Sequence, residues 1–185
     1  MRVIGGRLRG KRLASFKGKH IRPTSDRVKE AIFNIISSNL EKGSSVIDLF
    51  AGTGNLGIEA LSRGAGRVIF VEKDMSSVGI IRKNLENCGI GKEAEIIRMD
   101  VKKALPAIEK KDGHIDVIFL DPPYDQGLVD ETLQLLGESP LMSGALIIAE
   151  HSLTEEIKES YGGIKMIDSR KYGDTAVSLF NGAAH

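Results

Sequence analysis

The chain has a single cysteine among its 185 residues, so no intrachain disulfide can form, and such a composition suits a reducing compartment. Cys88 follows Val78, Ile81 and Leu85 at helical spacing, which assigns it to core filling and not to nucleophilic chemistry. No apolar run reaches membrane length and no signal peptide is evident, so the expected location is the cytoplasm, without a membrane partner. His20, His114 and His151 lack metal-ligand spacing; solvated or capping roles are expected for them, and no metal. Internal repeats, low-complexity tracts and long linkers are also missing. One domain over residues 1–185, with a core that needs no disulfide or metal staple, is the expected organisation.

Acidic residues are scarce at one end. Residues 1–29 hold ten Lys or Arg (Arg2, Arg7, Arg9, Lys11, Arg12, Lys17, Lys19, Arg22, Arg27, Lys29) against one acid, Asp26, while the rest of the chain holds 16 basic and 24 acidic residues. The net charge of +1 therefore hides a positive patch on an acidic body, an electrostatic footprint for a polyanion. Val3, Ile4, Leu8, Leu13 and Phe16 interleave with the charges, and Gly5, Gly6 and Gly10 punctuate them. That pattern predicts short strands presenting Arg and Lys instead of a disordered charge block. Arg22-Pro23-Thr24-Ser25-Asp26 reads as a turn and helix start, because Pro23 disfavours helix before it and Ser25 and Asp26 can cap exposed amides. Val28, Ala31, Ile32, Ile35, Ile36 and Leu40 then predict an amphipathic helix to about Asn39. Residues 1–40 form a basic N-terminal appendage of ribbon plus helix.

From there strand and helix signals alternate. Strands are expected at Val46 to Phe50, Arg67 to Val71, Glu95 to Met99, Ile115 to Leu120 and Ala145 to Ala149. Helices are expected at Leu56 to Arg63, Ser76 to Cys88, around Lys102 to Lys111 with Pro106 interrupting, Leu128 to Leu136 and Leu153 to Ser160. Two last runs, Ile164 to Ile167 and Ala176 to Phe180, flank Tyr172-Gly173-Asp174-Thr175 and suggest a closing antiparallel pair. Such alternation predicts a Rossmann-like α/β fold, a mostly parallel sheet of about seven strands with helices on both faces.

Gly52-Thr53-Gly54-Asn55-Leu56-Gly57 follows the first strand and satisfies G-x-G-x-x-G, with Glu72 twenty residues beyond the first glycine. That pattern fits a dinucleotide site. Asp48, however, would set its charge close to a pyrophosphate. S-adenosylmethionine has no phosphate, and its ammonium is attracted by a carboxylate directly or through water. Helix-start amides can receive its carboxylate, Glu72 can accept from a ribose diol, and Asp100 can accept from the adenine amine while Val101 packs on the ring. Three acids at the carboxyl ends of three consecutive strands favour S-adenosylmethionine over NAD.

Asp121-Pro122-Pro123-Tyr124 ends the fourth strand. A nucleobase amine is a poor nucleophile because its lone pair is delocalised. Acceptors for its two N–H groups, the Asp121 carboxylate and the Pro122 carbonyl, favour a pyramidal nitrogen, and consecutive prolines preorganise them. Tyr124 offers a face on which the base stacks. The target nucleotide has to be unpaired or flipped out to enter such a pocket.

Asp48 to Gly54, Glu59-Ala60-Leu61-Ser62-Arg63-Gly64-Ala65, Val71-Glu72-Lys73-Asp74 and Asp121 to Tyr124 resemble the RsmD family of bacterial 16S rRNA guanine-N2 methyltransferases. Gly5-Gly6-Arg7-Leu8-Arg9-Gly10-Lys11, Arg22 to Ala31 and Tyr172 to Thr175 are similar to that family too, so the resemblance spans almost the whole chain. It implies methylation of one guanine N2 in 16S rRNA, on the small ribosomal subunit or an assembly intermediate, with no obligate protein partner. It also suggests that Thr24, Asp26 and Arg27 close over the cofactor. The expected cofactor set is Asp48, Phe50, Gly52, Gly54, Asn55, Glu72, Lys73, Asp100 and Val101. Asp121, Pro122 and Tyr124 are the catalytic candidates, and Arg7, Arg9, Lys11, Arg12, Arg22 and Arg27 the RNA-binding ones. Alternative readings are a DNA adenine-N6 methyltransferase, a non-catalytic RNA-binding assembly factor using the basic patch, and an NAD-dependent oxidoreductase.

Overall fold

A computed structural model describes residues 1–16, 25–40, 42–111, 114–140 and 143–182. The expectations for Arg22, Thr24 and His20 lie outside them. Five parallel strands form the body of the sheet: β1 (Ser45–Leu49), β2 (Arg67–Val71), β3 (Ala94–Ile97), β4 (Val117–Leu120) and β5 (Leu146–Ser152). Three antiparallel strands, β6 (Ser160–Tyr161), β7 (Ile164–Tyr172) and β8 (Thr175–Gly182), extend it beyond β5. The order is β3-β2-β1-β4-β5-β8-β7-β6, so the chain runs outward from β1 to β3 and then returns to the other side of β1 at β4. Between β1 and β4 the strand order reverses, and a crevice opens there at the carboxyl ends.

Among the described residues, five α-helices cover the sheet: α1 (Asp26–Ile35), α2 (Asn55–Arg63), α3 (Met75–Cys88), α4 (Val101–Glu109) and α5 (Leu128–Glu138). Alternate residues of each central strand face opposite ways, and both sets are apolar except for Asp48 near the end of β1. Val46, Val68, Phe70, Val117 and Phe119 pack with α1, α2 and α3 on one face, while Ile47, Leu49, Ile69, Val71, Ile118 and Leu120 pack with α4 and α5 on the other. This is the continuous hydrophobicity of strands buried on both sides. Cys88 is buried in the first of these clusters, as its spacing requires.

Several details differ from the pattern in the sequence. The sheet has eight strands, because Ser160 and Tyr161 pair with β7. Leu153 to Ser160 is not helical: Glu155 accepts from the Ser152 amide and the Ser152 hydroxyl pairs with Thr154, which turns the chain back, and Leu153 faces solvent. The α1 helix stops at Ile35, before Asn39, where Ser37 donates its hydroxyl to the Asn34 carbonyl. Pro106 sits inside α4 without ending it, on the helix's exposed side, where the carbonyl it leaves unbonded can take water. Phe50 is not the last strand residue; it has φ 58 and begins the turn.

The N-terminal ribbon is minimal. One antiparallel bridge joins Arg2 to Arg12, and a 3-10 turn at Gly6–Leu8 makes the bend. Val3, Leu8 and Leu13 are buried in the main core. Lys29 is 1% exposed: its Nζ donates to the Arg2 carbonyl at 2.6 Å and to Asn55 Oδ1 at 2.8 Å, and lies 3.2 Å from Glu59. Fully buried Glu59 accepts the Ile4 and Gly5 amides and the Arg63 guanidinium. The appendage is therefore bolted onto α2, and Lys29 belongs to that bolt and not to the positive surface. Burial pushes its ammonium below its usual pKa, against the opposing pull of Glu59.

Candidate active site

The glycine turn after β1 is built from backbone conformations that side chains resist. Gly52 has φ 56 and Gly54 φ 77, and Gly54 caps α2. At Gly57 an added Cβ would lie 2.3 Å from the Phe70 ring, so this glycine is there for close helix-to-strand packing. Two non-glycine residues among those described also have positive φ, Phe50 (58°) and Asp125 (57°). One lies in each loop at the switch point, and such backbone states persist where the surrounding structure enforces them, often at functional sites.

Both loops line one cleft of ≈ 680 Å³, within the roughly 300–1,000 Å³ typical of ligand pockets. Of the residues expected at the cofactor, Asp48, Phe50, Gly52, Asn55, Glu72, Lys73, Asp100 and Val101 line it, as do Asp121, Pro122 and Tyr124 from the other loop. Gly54 does not; with its φ positive, it shapes the turn and packs toward Ile58, Phe70 and Ile81.

The three acids differ in state. Asp48 is buried, and its Oδ2 accepts the Gly57 amide at 2.9 Å. Burial, assisted by nearby Glu72 and opposed by the Gly57 hydrogen bond, pushes its pKa up to about 8. Glu72 clamps the turn: Oε2 accepts the Gly52 amide at 2.9 Å and Oε1 the Asp74 amide at 2.8 Å. Each carboxylate oxygen has capacity for a further hydrogen bond, and Glu72 lines the cleft. Asp100 caps α4 by accepting from Lys102, with Lys73 Nζ 3.9 Å away. It is a helix cap and a cleft residue at once.

Tyr124 is held at its far edge. Its hydroxyl donates to Glu150 Oε1 at 2.8 Å and lies 3.2 Å from Thr175 Oγ1. Thr154 Oγ1 donates to Asp125 at 2.8 Å in the same loop. Burial drives the Tyr124 phenol well above its usual pKa, and the charges of Glu150 and Asp121 add to this against the hydrogen bond from Thr175. Glu150 and Thr175 did not figure among the expected site residues. The signal available is the Tyr172 to Thr175 turn motif, which the sequence sets between two closing strands.

Met1, Ser15 and Phe16 also line the cleft, so the basic appendage runs along its rim. Arg9, Lys11, Arg12 and Arg27 are exposed, and Arg7 is exposed but pairs with Glu93 at 3.4 Å. His151 is neither solvated nor a cap: it is buried, with Nε2 2.9 Å from Ser178 Oγ and Nδ1 2.9 Å from the Ser152 carbonyl.

Residues 1–181 match the family described as Conserved hypothetical protein 95, the RsmD family. The chain belongs to this family. A relative in Bacillus subtilis (strain 168), named "Putative rRNA methyltransferase YlbH", is 39% identical over 181 residues, which cover 97% of this chain and 98% of the relative. "Ribosomal RNA small subunit methyltransferase D" of Haemophilus influenzae is 39% identical over 152 residues, 81% of this chain and 78% of its own. The solved structure titled "Putative methyltransferase yhhF from Escherichia coli" superposes with a TM-score of 0.83 at 30% identity, covering 100% of this chain and 99% of that one. The fold is the Rossmann-like methyltransferase fold, and the RsmD resemblance of the motifs is borne out.

Proposed function

We propose that this chain transfers the methyl group of S-adenosylmethionine to the exocyclic N2 amine of a guanine in 16S rRNA, on the small ribosomal subunit or an assembly intermediate in the cytoplasm. The observation that carries the reading is that β1 and β4 are hydrogen-bonded neighbours whose loops, Phe50 to Asn55 and Asp121 to Tyr124, line one cleft. The names of the relatives support the rRNA substrate.

The cleft residues fit this cofactor better than a dinucleotide. Asp48, Glu72 and Asp100 line one side, and a pyrophosphate there would meet three carboxyl groups. Asp48 would face the ammonium, Glu72 the ribose diol, and Asp100 with Val101 the adenine. The bound donor supplies a methyl group activated on a sulfonium. Asp121 and the Pro122 carbonyl accept the two N–H groups of the target amine, which turns its lone pair toward the donor and leaves Asp121 placed to take the departing proton. Tyr124 stacks on the base. Positioning for in-line displacement accounts for most of the acceleration. Arg9, Lys11, Arg12 and Arg27 bind the phosphates flanking the target.

Incubation with labelled methyl donor and small-subunit particles, naked rRNA or DNA, followed by nucleoside mass spectrometry, tests the reading. N2-methylguanosine from the particles is the expected product. N6-methyladenine from DNA would reassign the substrate, and absence of label from every acceptor would overturn the enzyme reading. Asp121→Ala should abolish transfer while affinity for S-adenosylhomocysteine changes less than about threefold, because the residue touches acceptor and not cofactor.

A further inference from the structure

The Asp121 to Tyr124 loop is anchored from the next two strands of the sheet, β5 and β8. β5 and β8 pair antiparallel with Glu150 opposite Val177 and Ser152 opposite Thr175, which brings the end of one strand and the start of the other beneath Tyr124. Glu150 is 5% exposed and Thr175 3%, yet both aim polar atoms at the same phenol oxygen. The turn that replaces the expected helix after Ser152 adds a third tether, from Thr154 to Asp125. Buried polar side chains converging on one hydroxyl fix where the phenol oxygen sits, because a swing about χ1 loses both bonds together; that oxygen lies on the χ2 axis, and the ring's plane is set by the preference of a phenolic O–H to lie in it while pointing at Glu150.

We propose that Glu150 and Thr175 are positioning residues for methyl transfer, holding the Tyr124 ring in the plane against which the target base stacks. This rests on the reading of Asp121 to Tyr124 as the acceptor site. A ring fixed before substrate arrives orients the base, and with it the amine, without having to be ordered during binding. The phenol remains protonated and donating in this setting, so Tyr124 is a platform and not a base. The Tyr172 to Thr175 turn acquires a role as well: it delivers Thr175 to the hydroxyl.

The test is a double-mutant cycle on Glu150 and Tyr124, with rRNA methylation resolved into kcat, KM for RNA and affinity for S-adenosylhomocysteine. Glu150→Ala should lower kcat/KM about 10- to 150-fold, the range for losing a hydrogen bond to a charged group, with cofactor affinity unchanged. Glu150→Gln keeps an acceptor and should restore most of that loss. In a Tyr124→Phe background, Glu150→Ala should add little, because the hydroxyl it acts through is gone. Thr175→Val should give a smaller loss of the same kind. Full additivity of Glu150→Ala and Tyr124→Phe, or a cofactor affinity that falls in parallel with kcat, would overturn the proposal. If Tyr124→Ala itself leaves methylation intact, the stacking reading fails. If Tyr124→Ala is impaired while Glu150→Ala and Thr175→Val match the parent, that reading stands and this inference falls. Circular dichroism and the melting temperature of each variant separate misfolding from misplacement.

Discussion

Replacing Asp48 by Asn should stabilise the protein while weakening cofactor binding. Asp48 is buried, and its pKa is raised from 3.8 to about 8, mainly by burial. The folded state therefore keeps the proton up to about pH 8, whereas the unfolded chain releases it near 3.8. The group's contribution to stability is fully present below the unfolded value and is lost as pH rises through the folded one. Across that window the slope is about 1.4 kcal/mol per pH unit, or about 4 kcal/mol by pH 7. Asn is neutral throughout and can still accept the Gly57 amide through its carbonyl oxygen. Its amide needs partners of its own, so a net gain of about 2–4 kcal/mol at pH 7 is expected. The more robust quantity is the difference: the advantage of Asp48→Asn at pH 7 should exceed that at pH 5 by about 2.7 kcal/mol. Urea unfolding of both proteins at pH 5, 6, 7 and 8.5 measures it. Parallel stability profiles would refute the reasoning. Titration calorimetry with S-adenosylhomocysteine, in buffers of different ionisation enthalpy, should show proton release near pH 7 for the parent. The variant should show none, and should bind about tenfold or more weakly.

Exchanging Arg9, Lys11 and Arg12 together for Ser should flatten the salt dependence of RNA binding by about two to three units of log K against log salt, measured by filter binding; an unchanged slope would remove these residues from the interface. Glu59→Ala should destabilise by about 3–5 kcal/mol in denaturant unfolding, because buried Lys29 and the Ile4 and Gly5 amides lose their shared acceptor. The same variant should expose residues 1–16 to limited proteolysis before the core unfolds, and a parent-like digestion pattern would show that the bolt on α2 is dispensable.

Most of the doubly wound core was legible because its strands are apolar on both faces and are separated by helices with recognisable caps. The glycine turn, the acids at the carboxyl ends of β1, β2 and β3, and the Asp121 to Tyr124 loop could be placed at one edge from their order along the chain. What escaped depends on contacts distant in sequence. Glu150 looks like an ordinary strand-end acid until β8 brings Thr175 beside it. Lys29 counts as one more surface cation until Glu59, thirty residues away, closes over it. Leu153 and Ile157 repeat at helical spacing, but the Ser152 and Thr154 hydroxyls and the Glu155 carboxylate offer the backbone closer partners. Asp48 was recognised by type and position, while its protonation state follows from burial that no local pattern encodes.

The direct hydrogen bonding of β1 to β4, with Leu49 opposite Leu120, makes the core of the enzyme a gauge of fixed width. One strand spacing, about 4.8 Å, separates the roots of the two loops. In the proposed reaction the target base has to travel down to that spacing, so selectivity among guanines becomes a matter of which of them can leave its stack and reach that depth.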